Sequence, residues 1–334
     1  MKVSDFNFSL DETLIAQRPV EPRDSARLLD LSGASEVHRT VRDFPGIISS
    51  SDLIVVNNTK VLPARLFGYR DAVAIEATLM RQLTMSRWSA LAKPGKRIKV
   101  DQSIRFDNGL TAQVLNKDGP EVILQFNYEG ADLLSAIRAQ GAMPLPPYIK
   151  RERGGDVSDH DLYQSPFARH EGAVAAPTAS LHFTNEVRSG LPCPIVEVTL
   201  HVGLGTFAGV KVEDTDDHVM HVEWGELPAQ TAEAIKACKD RGGRVIAIGT
   251  TALRVLEAFR GKAGAGDIDL FITPGFKFQV VDCMLTNFHL PASTLFMLVC
   301  AFSGIDRMQD AYAKAQAERY RFFSYGDACW LTRL

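Results

Sequence analysis

With 334 residues, 46% of them apolar, and a formal net charge of −3, the chain can bury a substantial core and is expected to form two domains. Its opening, MKVSDFNFSL, has no apolar h-region and the longest apolar run, Leu295 to Phe302, is far below a membrane span, so a cytoplasmic location is expected. Five scattered cysteines without a C-x-x-C pair argue against a disulfide framework or a zinc site and read as reduced, mostly buried thiols.

In chain order, the first strong element is a buried strand at Ser51 to Asn57 (SDLIVVN). The texture then changes near residue 62 and again near 148. Between those points the chain reads as short strands: Ala74 to Leu83, Trp88 to Ala92, Arg97 to Val100, Ser103 to Phe106, Leu110 to Leu115 and Glu121 to Phe126. Asn108-Gly109 and Asp118-Gly119 supply hairpin turns, and a helix near Ala131 to Ala139 closes the segment with Gly141 as its cap. Many strands with little helix predict a small β-barrel at 62–148, left through the stiff link Met143-Pro-Leu-Pro-Pro-Tyr148.

Residues 1–61 and 149–334 form a discontinuous α/β domain in this reading, because strands there alternate with helices. The strands are Pro194 to Leu200, Arg244 to Gly249 and Leu270 to Thr273; the helices are Pro228 to Arg241, Ala252 to Arg260, Thr294 to Phe302 and Asp310 to Tyr320. Charge is uneven along the chain. From Lys60 to Arg105 ten basic residues face three acids, a distribution that suits either a phosphate-tracking surface or a solvated basic face.

Candidate chemistry concentrates in the second half. Gly203-x-Gly205-x-x-Ala208 follows a strand, with Glu223 twenty residues past the first glycine, a formal match to a nicotinamide or flavin dinucleotide fingerprint. Its context is wrong, since Gly209 to Asp217 is not a helix former. His201, His218 and His221 cluster near Glu223 but lack an HExxH arrangement, so acid–base work is preferred over metal binding. At Thr250-Thr251 a strand runs into a helix whose free N–H groups would suit an anion. Two polar loops, Thr286 to Pro291 and Arg319 to Asp327, read as site-lining.

Longer strings go further. Gln17-Arg-Pro19, Pro22-Arg-Asp-Ser-Ala-Arg-Leu-Leu29, Val56-Asn-Asn-Thr-Lys-Val-Leu-Pro-Ala-Arg-Leu66, Met143-Pro-Leu-Pro-Pro-Tyr-Ile149 and Gly172-Ala-Val-Ala-Ala-Pro-Thr-Ala179 closely resemble the S-adenosylmethionine:tRNA ribosyltransferase-isomerase family of queuosine biosynthesis. So do Leu181-His-Phe183, Thr199-Leu-His-Val-Gly203, Thr286-Asn-Phe-His-Leu-Pro291 and Arg319-Tyr-Arg-Phe-Phe-Ser-Tyr-Gly-Asp-Ala328. The match runs nearly the whole chain in family order.

The resemblance implies a barrel-like α/β catalytic domain with an inserted β-barrel, acting on tRNA; a monomer is expected. S-adenosylmethionine would be a sugar donor: its ribosyl part moves to a 7-aminomethyl-7-deazaguanine at the wobble position, giving epoxyqueuosine, adenine and methionine, without a metal. The catalytic candidates are His201, Glu223 and His289. The cofactor is expected on Ala176, Pro177, Thr178, His182, Gly203, Gly205, Thr206, Asn287 and the Thr250, Thr251 and Arg254 helix start, with Arg254 or that start facing the methionine carboxylate. Asn57, Asn58, Lys60, Arg65, Lys93, Lys96, Lys99, Tyr148, Arg319 and Tyr325 are expected on tRNA, with Phe288 among the groups that could stack the deazaguanine. Ser180, Gly209, Val222 and Ala252 depart from the family pattern and leave open a shifted substrate. A dinucleotide-dependent oxidoreductase and a non-catalytic tRNA-binding paralogue are the alternatives.

Overall fold

A computed structural model describes residues 1–152, 154–203, 205 and 209–334, with Asn108 described by its backbone alone. The chain divides into two compact units, Met1–Thr59, Ser165–His170 and Pro177–Leu334 in the first, Lys60–Gln164 and Glu171–Ala176 in the second. Segment 62–148 therefore lies within the second unit, which also takes 60–61, 149–164 and 171–176.

The first unit is α/β around one nine-stranded sheet. Its strands are β1 (Arg27–Asp30), β2 (Val37–Thr40), β3 (Leu53–Asn57), β12 (Ile195–Leu200), β13 (Glu223–Leu227), β14 (Val245–Ile248), β15 (Gly264–Ile268), β16 (Cys283–Asn287) and β17 (Ala328–Thr332). They lie in the order β15-β13-β12-β3-β14-β16-β17-β1-β2. β12, β3, β14 and β16 run parallel. Covered on both faces, β3, β14 and β16 are buried at every position, which is why they read as unbroken apolar runs rather than alternating ones.

Helices α4 (Ala229–Asp240), α5 (Gly249–Ala258) and α6 (Thr294–Ser303) pack on the sheet, α7 (Ile305–Ala317) packs on α6, and α3 (Asn185–Gly190) adds Val187 to the core. Ser293 caps α6, its side chain accepting from the Phe296 N–H, and that helix is buried on most of its surface. One core cluster gathers Phe44, Phe167, Phe183 and Trp330 with Val56, Ile248 and Leu285 of the central strands.

Two expectations fail here. Leu270 to Thr273 is not a strand, and the edge position belongs to β15, whose two glycines make it invisible to an apolar-run reading. No α-helix follows the Gly203 turn among the described residues: 209–222 holds only the short turn Thr215–Asp217 before β13. A pyrophosphate would find no helix N-terminus there, which removes the dinucleotide reading.

In the second unit, β5 (Arg65–Arg70), β6 (Val73–Gln82), β7 (Arg87–Lys93), β8 (Ser103–Phe106), β9 (Thr111–Asp118) and β10 (Glu121–Phe126) close into a barrel in the order β10-β7-β6-β5-β8-β9. Alternation fills it: Leu66, Ile75, Ala77, Leu79, Ala90, Ile104, Val114 and Leu124 are fully buried. Helix α1 (Gly130–Gln140) adds Leu133 and Ile137. A one-turn helix α2 (Asp159–Leu162) and a ribbon of β4 (Thr59–Val61) with β11 (His170–Ala173) complete the elements.

The expected strand at Arg97 to Val100 is instead a turn, Gly95–Arg97, followed by buried Ile98. The Lys117 ammonium donates to the carbonyls of Gly95 (2.7 Å) and Ile98 (2.8 Å), satisfying groups that a ladder would otherwise take. Gly141 does follow α1, but its φ is −75°, so left-handed capping is not the reason for glycine. A Cβ there would lie 1.7 Å from the Pro63 carbonyl oxygen; close backbone approach is the reason. Among the described residues no helix is long and apolar enough to cross a membrane.

Candidate active site

Parallel β12, β3, β14 and β16 end at one edge of the sheet, where open α/β folds bind their ligands. β17 is antiparallel to β16 and β1 is parallel to β17, so the starts of β17 and β1 join the same edge. Four sequence-distant loops thereby meet: 57–59, 201–203, 249–251 and 286–289.

Asn57 welds the first two. Fully buried, it accepts from Leu200 N–H (3.0 Å) and Thr59 N–H (3.1 Å) and donates to the Leu200 carbonyl (3.1 Å). Asn58 is buried too, donating to Glu197 and accepting from Thr199. Both were expected on tRNA; their amides are spent inside the sheet, and that expectation is corrected. The weld sets Thr59 Oγ1 at 2.8 Å from His201 Nδ1. His201 is half-buried and stacks on Trp224, 5.3 Å between centroids at 21°. Burial first, and the charge of His170 second, hold its pKa below the ordinary histidine value.

Glu223 opens β13 at 5% exposure. One oxygen accepts from Gly203 N–H (2.8 Å), the other from Arg254 Nη1 (2.5 Å). Arg254, on α5 and equally buried, also donates Nε to the Leu270 carbonyl (3.3 Å), while its Nη2 is buried without a partner among the described residues. A carboxylate engaged in this way braces the Gly203 turn and is poorly placed to take a proton from a substrate. Gly205 is required by contact, since a Cβ would sit 2.2 Å from the His221 ring.

Thr178 Oγ1 donates to Asn287 Oδ1 (3.0 Å), and Asn287 Nδ2 pairs with His182 Nε2 (3.1 Å) and the Asp327 carbonyl (3.4 Å). Because the carbonyl accepts only, the amide orientation is determined and His182 Nε2 must be the acceptor. Burial, then the charges of Arg23 and Arg321, push the His182 pKa to about 4, so the ring is neutral. His182 also lines a small cleft with Arg23, Ser324 and Tyr325. His289 is more enclosed: Nε2 lies 3.1 Å from Thr286 Oγ1, the His289 backbone N–H donates to the Tyr312 hydroxyl, and burial pushes the ring pKa to about 3. Phe288, expected to stack a base, is fully buried among Tyr312, Tyr320 and Phe322 and has no face to offer.

At the start of α5, Thr250 is 6% exposed, and the buried hydroxyls of Thr251 and Ser180 have no partner among the described residues. Pro177 belongs to this unit; Ala176 is buried in the second, and Thr206 lies outside the described residues. Among the described residues no group of three or more His, Cys, Asp or Glu could hold a metal ion.

The residues expected on tRNA are treated differently by the fold. Lys60 pairs with Glu171 (3.0 Å) and Arg65 is bidentate on Glu76 (2.9 and 3.0 Å). Lys93, Lys96 and Lys99 are exposed. Tyr148 is half-exposed, Tyr325 is buried, and exposed Arg319 donates to Asp11 (3.0 Å). Sequence reading missed Thr59 and Trp224, because only the pairing of β12 with β3 and β13 makes them neighbours of His201.

Residues 3–331 match the family model described as "Queuosine biosynthesis protein". A Methylocella silvestris protein named S-adenosylmethionine:tRNA ribosyltransferase-isomerase is 52% identical, covering 99% of this chain and 98% of that one. A Maricaulis maris protein of the same name is 50% identical over 100% and 99%. The crystal structure of an S-adenosylmethionine tRNA ribosyltransferase from Thermotoga maritima aligns with a TM-score of 0.55 at 34% identity, covering 98% and 99%.

Proposed function

The chain belongs to the queuosine biosynthesis protein family, and from that premise we propose that it is an S-adenosylmethionine:tRNA ribosyltransferase-isomerase. In this reading it moves the ribosyl part of S-adenosylmethionine onto a 7-aminomethyl-7-deazaguanine at the tRNA wobble position, forming epoxyqueuosine and releasing adenine and methionine. The observation that carries it is the sheet edge, where Thr59, His201, the α5 start and Asn287 are brought together by strand order.

A sulfonium acidifies the hydrogens beside it and makes the sugar reactive, so the protein must mainly orient groups and handle protons. Of the three catalytic candidates, His201 is the one with a ring nitrogen that has no partner among the described residues and can meet a ligand; Glu223 braces Gly203, and His289 is enclosed. Arg254 Nη2, without a partner among the described residues, and the Thr250–Thr251 helix start suit the methionyl carboxylate. Neutral His182, with Thr178 and Asn287, would line the cofactor pocket. Lys93, Lys96 and Lys99, exposed on the barrel unit, would meet tRNA phosphates.

The test incubates the protein with tRNA carrying the aminomethyl base and S-adenosylmethionine labelled in the ribose. Label in tRNA with stoichiometric adenine supports the reading. Binding of tRNA without either product favours a non-catalytic paralogue.

A further inference from the structure

Thr59 has no solvent exposure, and among the described residues its hydroxyl has one partner, His201 Nδ1 at 2.8 Å. Its N–H is already spent on Asn57. The hydroxyl hydrogen must therefore point at Nδ1 or be buried with no acceptor, and the second state is the expensive one. An Nδ1 that accepts leaves the proton of a neutral imidazole on Nε2.

We infer that Thr59 locks His201 as the Nε2–H tautomer, making His201 a hydrogen-bond donor to the ring nitrogen of the departing purine rather than a base. This rests on the functional reading above. His201 Nε2 has no partner among the described residues, so its N–H is available to a ligand. The Trp224 face, 40% exposed, holds the imidazole plane, and a heterocycle bonded edge-on to Nε2 lies parallel to the indole. When the glycosidic bond breaks, its electron pair goes to the purine, where a fixed N–H shares the new negative charge. The pair from the C–H bond broken beside the sulfonium is pushed through the opening sugar and replaces the pair the purine takes. The proton stays on the imidazole, and of the two protons the transfer sets free, one from that carbon and one from the aminomethyl nitrogen, solvent relays one to the released purine and takes up the other. Burial favours the neutral ring, the state in which one nitrogen donates and the other accepts.

Two measurements on the full chain test this. The first is a two-bond proton–nitrogen NMR spectrum of histidine-labelled protein without substrate, with His201 assigned by loss of its signals in His201→Ala. The expected result is Nε2 protonated and Nδ1 bare, by about tenfold or more. Thr59→Val should bring in the other tautomer, and Thr59→Ser should restore the first. The second compares adenine release by His201→Gln, →Ala and →Glu. The glutamine amide can donate where Nε2–H did, so it should stay within about tenfold of wild type, while the other two fall by about 10²–10³. An Nδ1-protonated spectrum overturns the proposal, as does a glutamine variant no better than alanine. A wild type that releases no adenine overturns the functional reading instead, and the tautomer spectrum, which needs no substrate, still decides the lock.

Discussion

Replacing Lys93, Lys96 and Lys99 by alanine separates a working RNA surface from ordinary solvated charge. The three lie on or beside the turn that Lys117 holds by the carbonyls of Gly95 and Ile98, and all are exposed. A lysine on a phosphate releases condensed counterions, so losing one lowers the slope of log affinity against log salt by about 0.7 to 0.9. Losing three should flatten it by about 2 to 2.7. At about 0.15 M salt a loss of that size weakens binding roughly fifty- to two-hundredfold. Lys60 and Arg65 already face Glu171 and Glu76, so alanine at those two should change the slope by less than half as much. The assay is fluorescence anisotropy of labelled tRNA at several salt concentrations, with circular dichroism as the check on folding. Parallel lines of equal affinity for wild type and triple variant would refute the reasoning.

Alanine at Glu223 strands a buried Arg254 and frees the Gly203 N–H, and should lower unfolding free energy by about 3 kcal/mol in urea denaturation; a loss under about 1 kcal/mol would show the pair to be dispensable. His182 and His289, held near 4 and 3 by burial, bind fewer protons folded than unfolded, so stability is full above the ordinary value of 6.5 and falls as pH drops toward 4. From about pH 6 to 5 the two should cost about 2 kcal/mol, and His289→Gln should remove about half of that dependence; an unchanged pH slope would contradict their burial as neutral rings. Gly141→Ala, forcing a Cβ toward the Pro63 carbonyl, should destabilise by about 1–3 kcal/mol, and a thermal midpoint equal to wild type would show that the backbones part freely.

Where one segment carries its own physics, the sequence alone was enough. Runs such as Leu53–Asn57 and Val245–Ile248 are buried on both faces and therefore apolar throughout, and the alternation of β6 to β10 announces a barrel before any pairing is known. Family strings spread over the chain named the chemistry. β15, with its two glycines, and the turn at 95–98, held by Lys117 from another strand, depend on partners that no local pattern contains. The site shows the same division. His201 could be picked out as a residue type, but its bond to Thr59 exists because β3 lies beside β12, the two residues being 142 positions apart in the chain. Glu223 looked like a base until Arg254 and Gly203 were found on its two oxygens, and Asn57 like an RNA contact until its amide was found on Leu200. A side chain's chemistry is written in its type; its protonation, partner and access are set by neighbours that only the folded sheet brings within about 3 Å.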